Sequence, residues 1–515
     1  MKPASHNEID IVLLLEGTYP YVSGGVSSWV HQLITALPHY RFGVVFLGSR
    51  PEDYGEPKYD LPPHVVHLEH HYVHAGQDQP PVSPRPGEPR IMEFMRRLHD
   101  WMRRGEPCAH AKSMVDDMMW LVSCYPRALQ AEFLYSETAW SYLTEVYEHH
   151  CTDPSFIDFF WTVRAMHEPI WTLGRAVSQC AAGKVYHTVS TGYAGFLGAL
   201  LHHRTKRPLI LSEHGIYTKE RTIDLFQATW LRDHRWSFEK GTDHLSYFQH
   251  LWIRFFDTLG RLCYAAADPI VSLYEANRQR QIQDGADPQR TRVVPNGIPV
   301  ERFVPLRYQR PPLPPPVLCL IGRVVPVKDV KTFIRAFRTV LNHIPHAEGW
   351  IAGPEEEDPE YVTECRHLVE NLGMRARMKF LGFQRVDELL PRIGLLVLSS
   401  ISEALPLVVL EAMAAGVPSV TTDVGACREL VYGEGAEGDE FGAAGAVVPI
   451  ANPEALAHEA LTLLTDGERW RAAQAAGIKR VEARYTARAM IARYAAMYQG
   501  AMQTWPESAL NFAKS

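Results

Sequence analysis

The stretch IDIVLLLEGTYPYVSGGVSSWVHQLITAL, from Ile9 to Leu37, predicts the type of fold. Residues 9–15 are almost wholly apolar and predict a buried strand, and residues 16–25 predict a loop. Apolar side chains then recur at offsets of 0, 3, 4, 7, 8 and 11, namely Val26, Trp29, Val30, Leu33, Ile34 and Leu37. Because this spacing puts them on one face of a helix, the stretch predicts a strand, a loop and a packed helix.

Short apolar runs continue to alternate with helix-length segments along nearly all of the chain. They predict further strands at Phe42–Leu47, Lys184–Val189, Pro208–Ser212, Ile270–Leu273 and Arg292–Pro295. A second series predicts strands at Val317–Ile321 and near Trp350, Phe380, Val397, Val420 and Val447. Because such alternation builds parallel sheets covered by helices, the predicted fold class is α/β with two Rossmann-like, doubly wound domains.

Two segments interrupt this alternation. Residues 53–183 begin with a loop rich in proline and histidine and are then dense in Trp, Met, Tyr and Leu, which predicts a helical insertion. Residues 304–316 are dense in proline, which neither continues a helix nor pairs inside a sheet, and predict a linker. The predicted domains are therefore residues 1–304, which include the insertion, and residues 317–485.

The composition excludes several classes of protein. With 515 residues, of which 46% are hydrophobic and 22% charged, the chain is globular rather than disordered or fibrous. Its 52 basic and 59 acidic residues give a net charge of −7, which argues against a general nucleic-acid partner. No run approaches the roughly 20 apolar residues that cross a bilayer, and we expect no secretory signal. We expect a cytoplasmic protein with eight reduced cysteines that reaches membranes only through protein partners.

The segment SSISEALPLVVLEAMAAGVP, residues 399–418, carries the strongest functional signal. It follows the predicted strand Leu395–Leu398, so it lies at the carboxyl edge of a parallel sheet, where ligands bind in such folds. Pro406 suits the first position of a helix and Gly416 suits its C-terminal stop. The sequence therefore predicts a helix of about ten residues between them.

Two carboxylates belong to this segment, Glu403 before the predicted helix and Glu411 more than one turn inside it. Carboxylates so placed can contact two different parts of one ligand, and an ionised carboxylate accepts hydrogen bonds from both hydroxyls of a sugar diol. The alternative for Glu411 is a solvated helix residue. Its neighbours are almost all apolar, however, and a carboxylate in such surroundings is expected to have a partner.

The loop GRVVPVKD, residues 322–329, directly follows the first predicted strand of the second domain. Arg323 offers a planar fork and Lys328 a mobile point charge, and Asp329 is predicted to cap the next helix, whose positive end adds to their field. Together these groups could neutralise a diphosphate without a metal ion. The alternative is a pair of surface cations beside a helix start, which the two nearby carboxylates make less attractive.

Weaker signals lie at strand ends of the first domain. Gly24 and Gly25, at the start of the first helix, let a ligand approach the backbone amides, although a simple turn is an alternative. His214, in SEHGIYTKER (residues 212–221), could hydrogen-bond a sugar hydroxyl or move a proton, and the alternative is a histidine that caps a loop. Asn296 begins a turn that is expected to face the same cleft, with a role that is purely geometric in the simplest interpretation.

The set of Gly322, Arg323 and Lys328, with Glu403 and Glu411 eight positions apart, resembles the donor site of retaining glycosyltransferases of family four. This resemblance covers the whole second domain. It implies the GT-B fold, in which two Rossmann-like domains face a cleft. By the same resemblance, helices in residues 486–515 are expected to pack back towards the first domain.

Motifs in the first half of the chain resemble a smaller group of glycosyltransferases. The stretch EGTYPYVSGGVSSW (residues 16–29), the 212–221 segment and the helical insertion resemble the glycosyltransferases of Pel exopolysaccharide synthesis. With these parts the resemblance spans nearly all of the chain. It implies a UDP-sugar donor, a growing glycan as acceptor and association with an inner-membrane polysaccharide synthase complex.

Carried over residue by residue, the resemblance implies that Arg323 and Lys328 hold the nucleotide diphosphate. Glu411 would bind the ribose hydroxyls, and Glu403 the hydroxyls of the donor sugar. The residues expected to bind the donor are Gly24, Gly25, Asn296, Gly322, Arg323, Lys328, Gly382, Phe383, Glu403, Leu405, Leu407 and Glu411. Those expected to act in catalysis are His214, Arg323, Lys328 and Glu403.

Within that set, the backbone near Gly382 and Phe383 would meet the base. Gly25 would approach the phosphate from the first domain, and His214 would lie beside the transferred sugar. One departure concerns Leu405-Pro406, where many members of the family have a glycine after an aromatic residue. Because proline has no amide hydrogen, a backbone contact to the donor is lost there or is supplied by a neighbour.

Two groups of potential metal ligands are interpreted differently. His67, His70, His71 and His74 fall in the predicted proline-rich loop with no cysteine or carboxylate cage, which favours a solvated loop. Asp116-Asp117 lacks the one-residue gap of the metal-binding aspartate pair of another class of sugar transferases. We therefore expect no metal and no other cofactor in the chemistry, with the UDP-sugar as a substrate.

The leading expectation is a retaining, metal-independent hexosyltransferase that moves a sugar from a UDP-sugar to a growing exopolysaccharide. The alternative is a non-catalytic subunit of a polysaccharide synthase complex that binds the nucleotide sugar. A nicotinamide-dependent oxidoreductase is a third hypothesis, and the chain lacks the spaced-glycine fingerprint that it requires.

Overall fold

The computed structural model describes residues 9–74, 86–104, 111–227, 245–311, 313–434 and 440–503. Cys108, residues 75–85 and 105–110 of the predicted insertion and residues 504–515 at the predicted C-terminal helices lie outside the described residues. The chain divides into two compact units. The N-terminal unit comprises Met1–Ser272, Arg278–Arg292 and Tyr494–Ser515, and the C-terminal unit comprises Leu273–Asn277 and Val293–Arg493. Residues 293–304, which the sequence analysis assigned to the first domain, thus belong to the C-terminal unit.

The strands of the described chain are β1 (Ile9–Glu16), β2 (Phe42–Gly48), β3 (Val65–Tyr72), β4 (Gly183–Thr188), β5 (Leu209–Glu213), β6 (Ile270–Ser272), β7 (Thr291–Val293), β8 (Val317–Ile321), β9 (Glu348–Ala352), β10 (Met378–Gly382), β11 (Leu395–Leu398), β12 (Ser419–Thr422) and β13 (Gly445–Val448).

The helices are α1 (Gly25–Ala36), α2 (Pro89–Arg104), α3 (Ala111–Cys124), α4 (Pro126–Tyr135), α5 (Glu137–His150), α6 (Phe156–Ala176), α7 (Tyr193–Thr205), α8 (Tyr217–Gln227), α9 (Tyr247–Ala266), α10 (Glu275–Gln283), α11 (Val300–Arg307), α12 (Val330–His343), α13 (Pro359–Asn371), α14 (Val386–Leu389), α15 (Leu407–Ala414), α16 (Cys427–Tyr432), α17 (Pro453–Thr465), α18 (Gly467–Arg484) and α19 (Ala487–Gln503).

These strands form two sheets, and the predicted α/β fold is confirmed. One sheet has the order β3-β2-β1-β4-β5-β6-β7 and the other the order β10-β9-β8-β11-β12-β13. The order reverses between β1 and β4 in the first sheet and between β8 and β11 in the second, where the paired strands are parallel. Such a reversal opens a crevice at the carboxyl ends of the two strands, where ligands bind in doubly wound folds.

The strand, loop and helix predicted from Ile9 to Leu37 are confirmed. Residues 11–15 of β1 are fully buried, as expected for a central strand covered on both faces. The buried residues of α1 are Ser27, Trp29, Val30, Leu33 and Ile34, which is the face that the apolar spacing predicts. The helix therefore covers the sheet with the side chains that the sequence marks as its core face.

The prediction of a proline- and histidine-rich loop is wrong in part, because this segment contains an edge strand. β3 pairs in parallel with β2, so His67, His70 and His71 lie on a strand and the helical insertion, α2 to α6, begins only after it. Side chains alternate along a strand, so His67, Glu69 and His71 share one face. An edge strand with one less protected side accommodates these polar groups, and this makes its apolar signal weak.

The predicted linker begins too early. Its first residues belong to α11, whose Phe303 and Leu306 are buried in the core of the C-terminal unit. Beyond the helix, the Arg310 guanidinium donates to the carbonyls of Leu390 and Ile393. Burial of this apolar face and these hydrogen bonds outweigh the effect of the proline residues, so the segment is packed and does not act as a free linker up to this point.

Two further expectations concern membranes and thiols. Among the helices of the described residues, none combines the length and apolar composition needed to span a bilayer. The described cysteines, which are Cys124, Cys151, Cys180, Cys263, Cys319, Cys365 and Cys427, are free thiols.

Candidate functional site

The carboxyl ends of β8 and β11 bring two predicted functional loops of the C-terminal unit together. Residues 322–329 follow β8 and residues 399–406 follow β11, and the two strands are neighbours at the point where the sheet order reverses. The loops are joined by a hydrogen bond from the Ile401 amide to the Val327 carbonyl, 2.9 Å long. The Ser399 hydroxyl donates to the Lys328 carbonyl at 2.9 Å. The fold thus fixes the two loops against each other before any ligand binds.

Lys328 and Glu403 form an ion pair in this arrangement. The Lys328 Nζ donates to Glu403 Oε1 at 2.6 Å, and the Ser400 hydroxyl donates to the same oxygen at 2.7 Å. The exposed fraction is 21% for the lysine side chain and 13% for the glutamate side chain. Because both charges are largely sheltered, removal of either one leaves the other in a poorly solvated position. The sequence places both residues in the site but gives no sign that they contact each other.

Arg323 occupies a more exposed position at the same sheet edge. Its Nη1 donates to both carboxylate oxygens of Glu357, at 2.7 and 2.6 Å. About half of each side chain is exposed, so the pair contributes roughly 0–1 kcal/mol and can exchange for another anion at small cost. The guanidinium can therefore exchange Glu357 for a phosphate, which binding of a diphosphate would require.

Helix α12 begins as predicted. The Asp329 carboxylate accepts a hydrogen bond from the Thr332 amide at 3.3 Å, which confirms Asp329 as the N-cap. Asp329 has φ = 42°, in the left-handed region that an aspartate tolerates better than most residues. The positive end of the helix dipole therefore points towards the loop that carries Lys328.

Glu411 lies on α15, five residues beyond the helix N-cap Pro406. Burial raises the pKa of this carboxyl to about 7, with Arg302 lowering it and Asp387 raising it by lesser amounts. Arg302, on α11, donates to Asp387 of α14 at 3.0 Å. The charge of Arg302 thus acts on Glu411, while the hydrogen bond of this arginine goes to Asp387. This electrostatic coupling could not be found from sequence spacing, since it involves three separate helices.

The Leu405-Pro406 departure has a clear structural context. Pro406 is the N-cap of α15, so it precedes the first helical residue, Leu407, and is not that residue as predicted. Gly416 follows the helix with φ = 73°, as predicted for its stop. The first turn of a helix has amides without intrahelical partners, so the Leu407 amide is such a donor beside the proline. Leu405 itself is buried and anchors the loop in the core.

Gly425 is a residue of this site that the sequence analysis missed. It follows β12 with φ = 54°, and a side chain there would collide with the carbonyls of Glu403 and Ala404. The Ala426 amide donates to the Ala404 carbonyl at 2.8 Å. Glycine is thus required for the loop after β12 to support Glu403 from behind. The signal available in the sequence was the glycine after a predicted strand.

At the end of β10, Gly382 has φ = 63° and Phe383 is 78% exposed. An aromatic ring so exposed beside a carboxyl strand end offers a face on which a planar base can stack. Asn296 is buried, and its Oδ1 accepts no hydrogen bond from the described part of the protein. Gly297 beside it lies against Thr486, where a side chain would collide with backbone, which supports the geometric role for this turn.

The N-terminal unit carries the other predicted residues. Gly24 is the N-cap of α1 and has no side chain to occupy the helix end, and Gly25 is the first helical residue. Side-chain atoms built at either glycine would meet nothing within 4 Å. The helix terminus is therefore open to an anion, as the glycines predict.

His214 follows β5 and is buried against Trp29, with ring centroids 4.5 Å apart. Burial lowers its pKa to about 4, so the ring is neutral at pH 7, and its Nε2 has no hydrogen-bond partner among the described residues. A buried ring nitrogen without a partner is costly unless a ligand supplies one. This observation favours the functional interpretation over a loop cap.

Other ionisable groups near His214 are engaged in the fold. The Glu213 carboxylate accepts from Thr191, Tyr264, Gln281 and the Tyr217 amide, at 2.7 to 3.1 Å. It is therefore a structural residue, although the sequence places it beside the candidate histidine.

A buried histidine that the sequence analysis missed lies on the neighbouring strand. His187 of β4 contacts the Tyr498 hydroxyl at 2.6 Å and the Ser212 hydroxyl at 2.8 Å, and Tyr494 donates to the same serine at 2.9 Å. Tyr494 and Tyr498 belong to α19. No local motif could reveal this network, because its partners are up to 311 positions apart in the chain.

Two family models match the chain. One, described as a domain of unknown function (DUF3492), matches residues 9–289, which is more than half of the chain. The other, described as glycosyl transferases group 1, matches residues 307–480 and so contains Arg323, Lys328, Glu403 and Glu411.

Curated relatives match over part of their length. An exopolysaccharide phosphotransferase of Streptomyces coelicolor is 33% identical over 206 residues, which are 39% of this chain and 20% of that protein. A D-inositol 3-phosphate glycosyltransferase of Corynebacterium glutamicum is 29% identical over 231 residues, which are 40% of this chain and 52% of that protein. The chain thus spans between a fifth and about half of the length of these relatives.

A solved structure matches nearly the whole chain. HepE of Anabaena, crystallised in complex with UDP, superposes with a TM-score of 0.56 and 15% identity over 96% of this chain and 100% of that one. At this identity the likeness shows the fold, and the predicted GT-B fold is confirmed.

Proposed function

The chain belongs to the DUF3492 family, and from this premise and its glycosyl transferases group 1 domain we propose that it transfers a sugar from a UDP-sugar to a glycan. The observation that carries this proposal is the fixed cluster of Lys328, Glu403 and Ser400 where the order of the second sheet reverses. A cation and a hydrogen-bonding carboxylate at that position suit a ligand with a diphosphate next to a sugar.

In the proposed reaction, the bond between the sugar and the diphosphate breaks, and the diphosphate gains negative charge. Lys328 and Arg323 bind that charge more strongly in the transition state than in the ground state, which is the requirement for catalysis. No metal ion takes part in this step as we propose it. The positive end of α12 adds to the field at the same loop.

We further propose that the anomeric configuration is retained. The acceptor hydroxyl oxygen would bond to the anomeric carbon on the face from which the diphosphate departs, and a diphosphate oxygen would accept the proton of that hydroxyl. Glu403 would hold hydroxyls of the donor sugar, and Glu411 the ribose diol. Phe383, exposed beside the glycine that ends β10, would stack on the base.

The narrower resemblance of the N-terminal half suggests the acceptor. Residues 16–29 and 212–221 resemble those of PelF, the cytoplasmic glycosyltransferase of Pel exopolysaccharide synthesis. A curated relative named as an exopolysaccharide phosphotransferase is compatible with a polymeric glycan acceptor. Cytoplasmic residence and association with an inner-membrane synthase complex belong to this proposal.

The test is the release of UDP by the purified full-length protein. UDP-glucose, UDP-N-acetylglucosamine and UDP-N-acetylgalactosamine would each be supplied with and without oligosaccharide acceptors. Acceptor-dependent release of UDP that persists in EDTA supports a metal-independent transferase. Loss of release in EDTA, restored by added divalent ions, contradicts the metal-independent mechanism.

A second function, a non-catalytic subunit that binds the nucleotide sugar, is favoured by one observation, the proline at position 406. Pro406 removes a backbone donor at the N-terminus of α15. Tight donor binding by calorimetry without any acceptor-dependent release of UDP would support this second function. We favour the transferase because the Leu407 amide, one residue later, can donate a hydrogen bond to the ligand at the same helix terminus.

The unpartnered ring nitrogen of His214 leads to a prediction. His214→Ala is expected to lower kcat by about 10- to 100-fold, because a hydrogen bond to the sugar is lost. The affinity for UDP should be unchanged, because the proposed contact of His214 is with the sugar and not with the nucleotide. Steady-state kinetics and calorimetry with UDP measure the two effects. The control is His346→Ala, which changes an exposed histidine just before β9. An equal loss of UDP affinity and kcat in His214→Ala would contradict the role.

The raised pKa of Glu411 leads to a pH prediction. Burial raises the pKa to about 7, so the carboxyl is mostly protonated at pH 6 and mostly ionised at pH 8. Since the ionised form accepts hydrogen bonds from both ribose hydroxyls, the affinity for a UDP-sugar should rise by up to about tenfold from pH 6 to pH 8. A UDP-sugar is the suitable probe, because its diphosphate lacks the terminal phosphate whose pKa is about 6.

Calorimetry across this pH range measures the effect. Glu411→Gln should bind the UDP-sugar with an affinity that is nearly constant over the same range. Glu388→Gln, at an exposed carboxyl of α14, should retain the wild-type profile. A wild-type affinity that falls as the pH rises, or a Glu411→Gln protein with the wild-type slope, would show that Glu411 does not bind the ribose.

A further inference from the structure

Three potential metal ligands converge at the edge strand of the N-terminal unit. Glu69 and His71 lie on the same face of β3, and Cys180 lies between α6 and β4. One ligand atom from each residue falls within 4.8 Å of the other two. A carboxylate and a cysteine therefore accompany His71, and the expectation that these histidines have no such ligands near them is wrong for this residue. The proximity of Cys180 to His71 could not be predicted from the sequence, because the two residues are 109 positions apart.

The distances from His71 to the other two residues fit a tetrahedral metal site. His71 Nε2 is 3.3 Å from Glu69 Oε1 and 3.7 Å from Cys180 Sγ. With bonds of about 2.0 Å to nitrogen and oxygen and about 2.3 Å to sulfur, a tetrahedral Zn²⁺ separates such ligand atoms by about 3.3–3.6 Å. The two separations from His71 are thus close to the spacing that such an ion imposes, and the Glu69 and Cys180 ligand atoms lie within 4.8 Å of each other.

Neighbouring groups orient the carboxylate. His67 Nε2 is 2.7 Å from Glu69 Oε2, and the Ala181 amide donates to the same oxygen at 3.2 Å. Oε2 is therefore held by two groups, while Oε1 lies towards His71. Hydrogen bonds that fix a ligating carboxylate in this way are typical of metal sites, where they fix the ligand geometry in advance.

The other two histidines of this region do not belong to the cluster. His70, on the opposite face of β3, contacts the Tyr21 hydroxyl at 2.6 Å. His74 lies beyond the strand. The side chains of Glu69 and His71 are only 16% and 13% exposed, so an ion held by them would be partly shielded from water. Their shielding distinguishes this cluster from ordinary surface acids and histidines.

We propose that Glu69, His71 and Cys180 bind a divalent transition-metal ion of the Zn²⁺ class, with water in the fourth position and His67 as the positioning residue of the carboxylate. Neutral imidazole, thiolate and carboxylate are the ligands that this class of ion prefers. On binding, the Cys180 Sγ–H bond breaks and its proton goes to solvent. The hydrated ion, which carries about six waters, releases all but one of them as it becomes four-coordinate with the three protein atoms. No oxidation or reduction takes place.

The position of the site gives it a structural role. Glu69 and His71 lie on the last strand before the helical insertion, and Cys180 follows the last helix of that insertion. An ion bound to all three would join the two ends of the insertion across 109 positions of the chain. Because folding brings the three ligands together, the ion binds the folded unit in preference to the unfolded chain, and its binding free energy would stabilise the N-terminal unit. This role is independent of the proposed sugar transfer.

The test is the metal content and thermal stability of the purified full-length protein. After exposure to Zn²⁺ and gel filtration, elemental analysis should find about one Zn²⁺ per chain, and a chelator should lower the midpoint of thermal unfolding. Co²⁺ in place of Zn²⁺ should give the intense near-ultraviolet absorption of a cobalt–thiolate bond. This band reports the cysteine ligand directly and does not depend on enzyme activity.

Variants decide whether these three residues form the site. Cys180→Ser, which is nearly isosteric, and His71→Ala should each lose the bound ion and the cobalt–thiolate band. Cys124→Ser, at another partly buried free cysteine, should retain both. Absence of retained Zn²⁺ in the wild-type protein would overturn the proposal. So would retention of the ion and of the cobalt–thiolate band in Cys180→Ser, an outcome that can be judged even if His71→Ala does not fold.

Discussion

Lys328→Ala is expected to lower the rate of sugar transfer by about a hundredfold or more, which corresponds to a barrier higher by roughly 3–4 kcal/mol. The lysine is the sheltered cation of the C-terminal site, and its Nζ already lies 2.6 Å from Glu403. In the variant, no cation at this position stabilises the negative charge that develops on the departing diphosphate. The affinity for the intact donor should fall much less than kcat, because the interaction is stronger in the transition state.

Single-turnover measurements of UDP release, with donor binding by calorimetry, separate these two effects. The matched control is Lys331→Ala, a lysine of the adjacent helix α12 whose Nζ pairs with Glu364 at 2.5 Å. This variant should retain nearly full activity. Arg323→Ala is expected to lower the rate as Lys328→Ala does. A Lys328→Ala protein that turns over donor at the wild-type rate would remove the lysine from the reaction.

Much of the fold could be predicted because the strands of parallel sheets are buried on both faces. β1 and β11 appear in the sequence as short, almost continuous apolar runs, and each is followed by a loop and a helix. The site residues of the C-terminal unit follow from the same logic, since a loop after a central strand lies at the carboxyl edge of the sheet. Local pattern therefore located Lys328 and Glu403 without any knowledge of their contact.

The errors arose where tertiary contacts override local signals. β3 is an edge strand, so it carries polar side chains that obscure its periodicity, and its sequence predicts a loop. The early part of the predicted linker is held by the burial of Leu306 and by hydrogen bonds from Arg310, neither of which proline content reveals. Long-range groups such as the Cys180 cluster carry no sequence signal at all, because their members are brought together only by folding.

The second large effect separates the roles of the two carboxylates. Glu411→Ala should weaken the binding of UDP itself by about 10- to 100-fold, since hydrogen bonds to an ionised carboxylate contribute roughly 1.5–3 kcal/mol. Glu403→Ala should leave the affinity for UDP nearly unchanged and lower kcat with the UDP-sugar. The reason is that Glu403 occupies the loop before α15, where it pairs with the lysine, whereas Glu411 lies inside the helix, within the field of Arg302.

Calorimetry with UDP and kinetics with the UDP-sugar on the same two proteins test this division. Removing Glu403 also frees Lys328 from its ion pair, so the lysine stays available to the diphosphate and any change in UDP affinity should be towards tighter binding. Glu388→Ala, at an exposed carboxyl of α14, should behave as wild type in both measurements. If both variants lost UDP and UDP-sugar to the same degree, the two carboxylates would serve one common part of the ligand, and their assignment to ribose and sugar would fail.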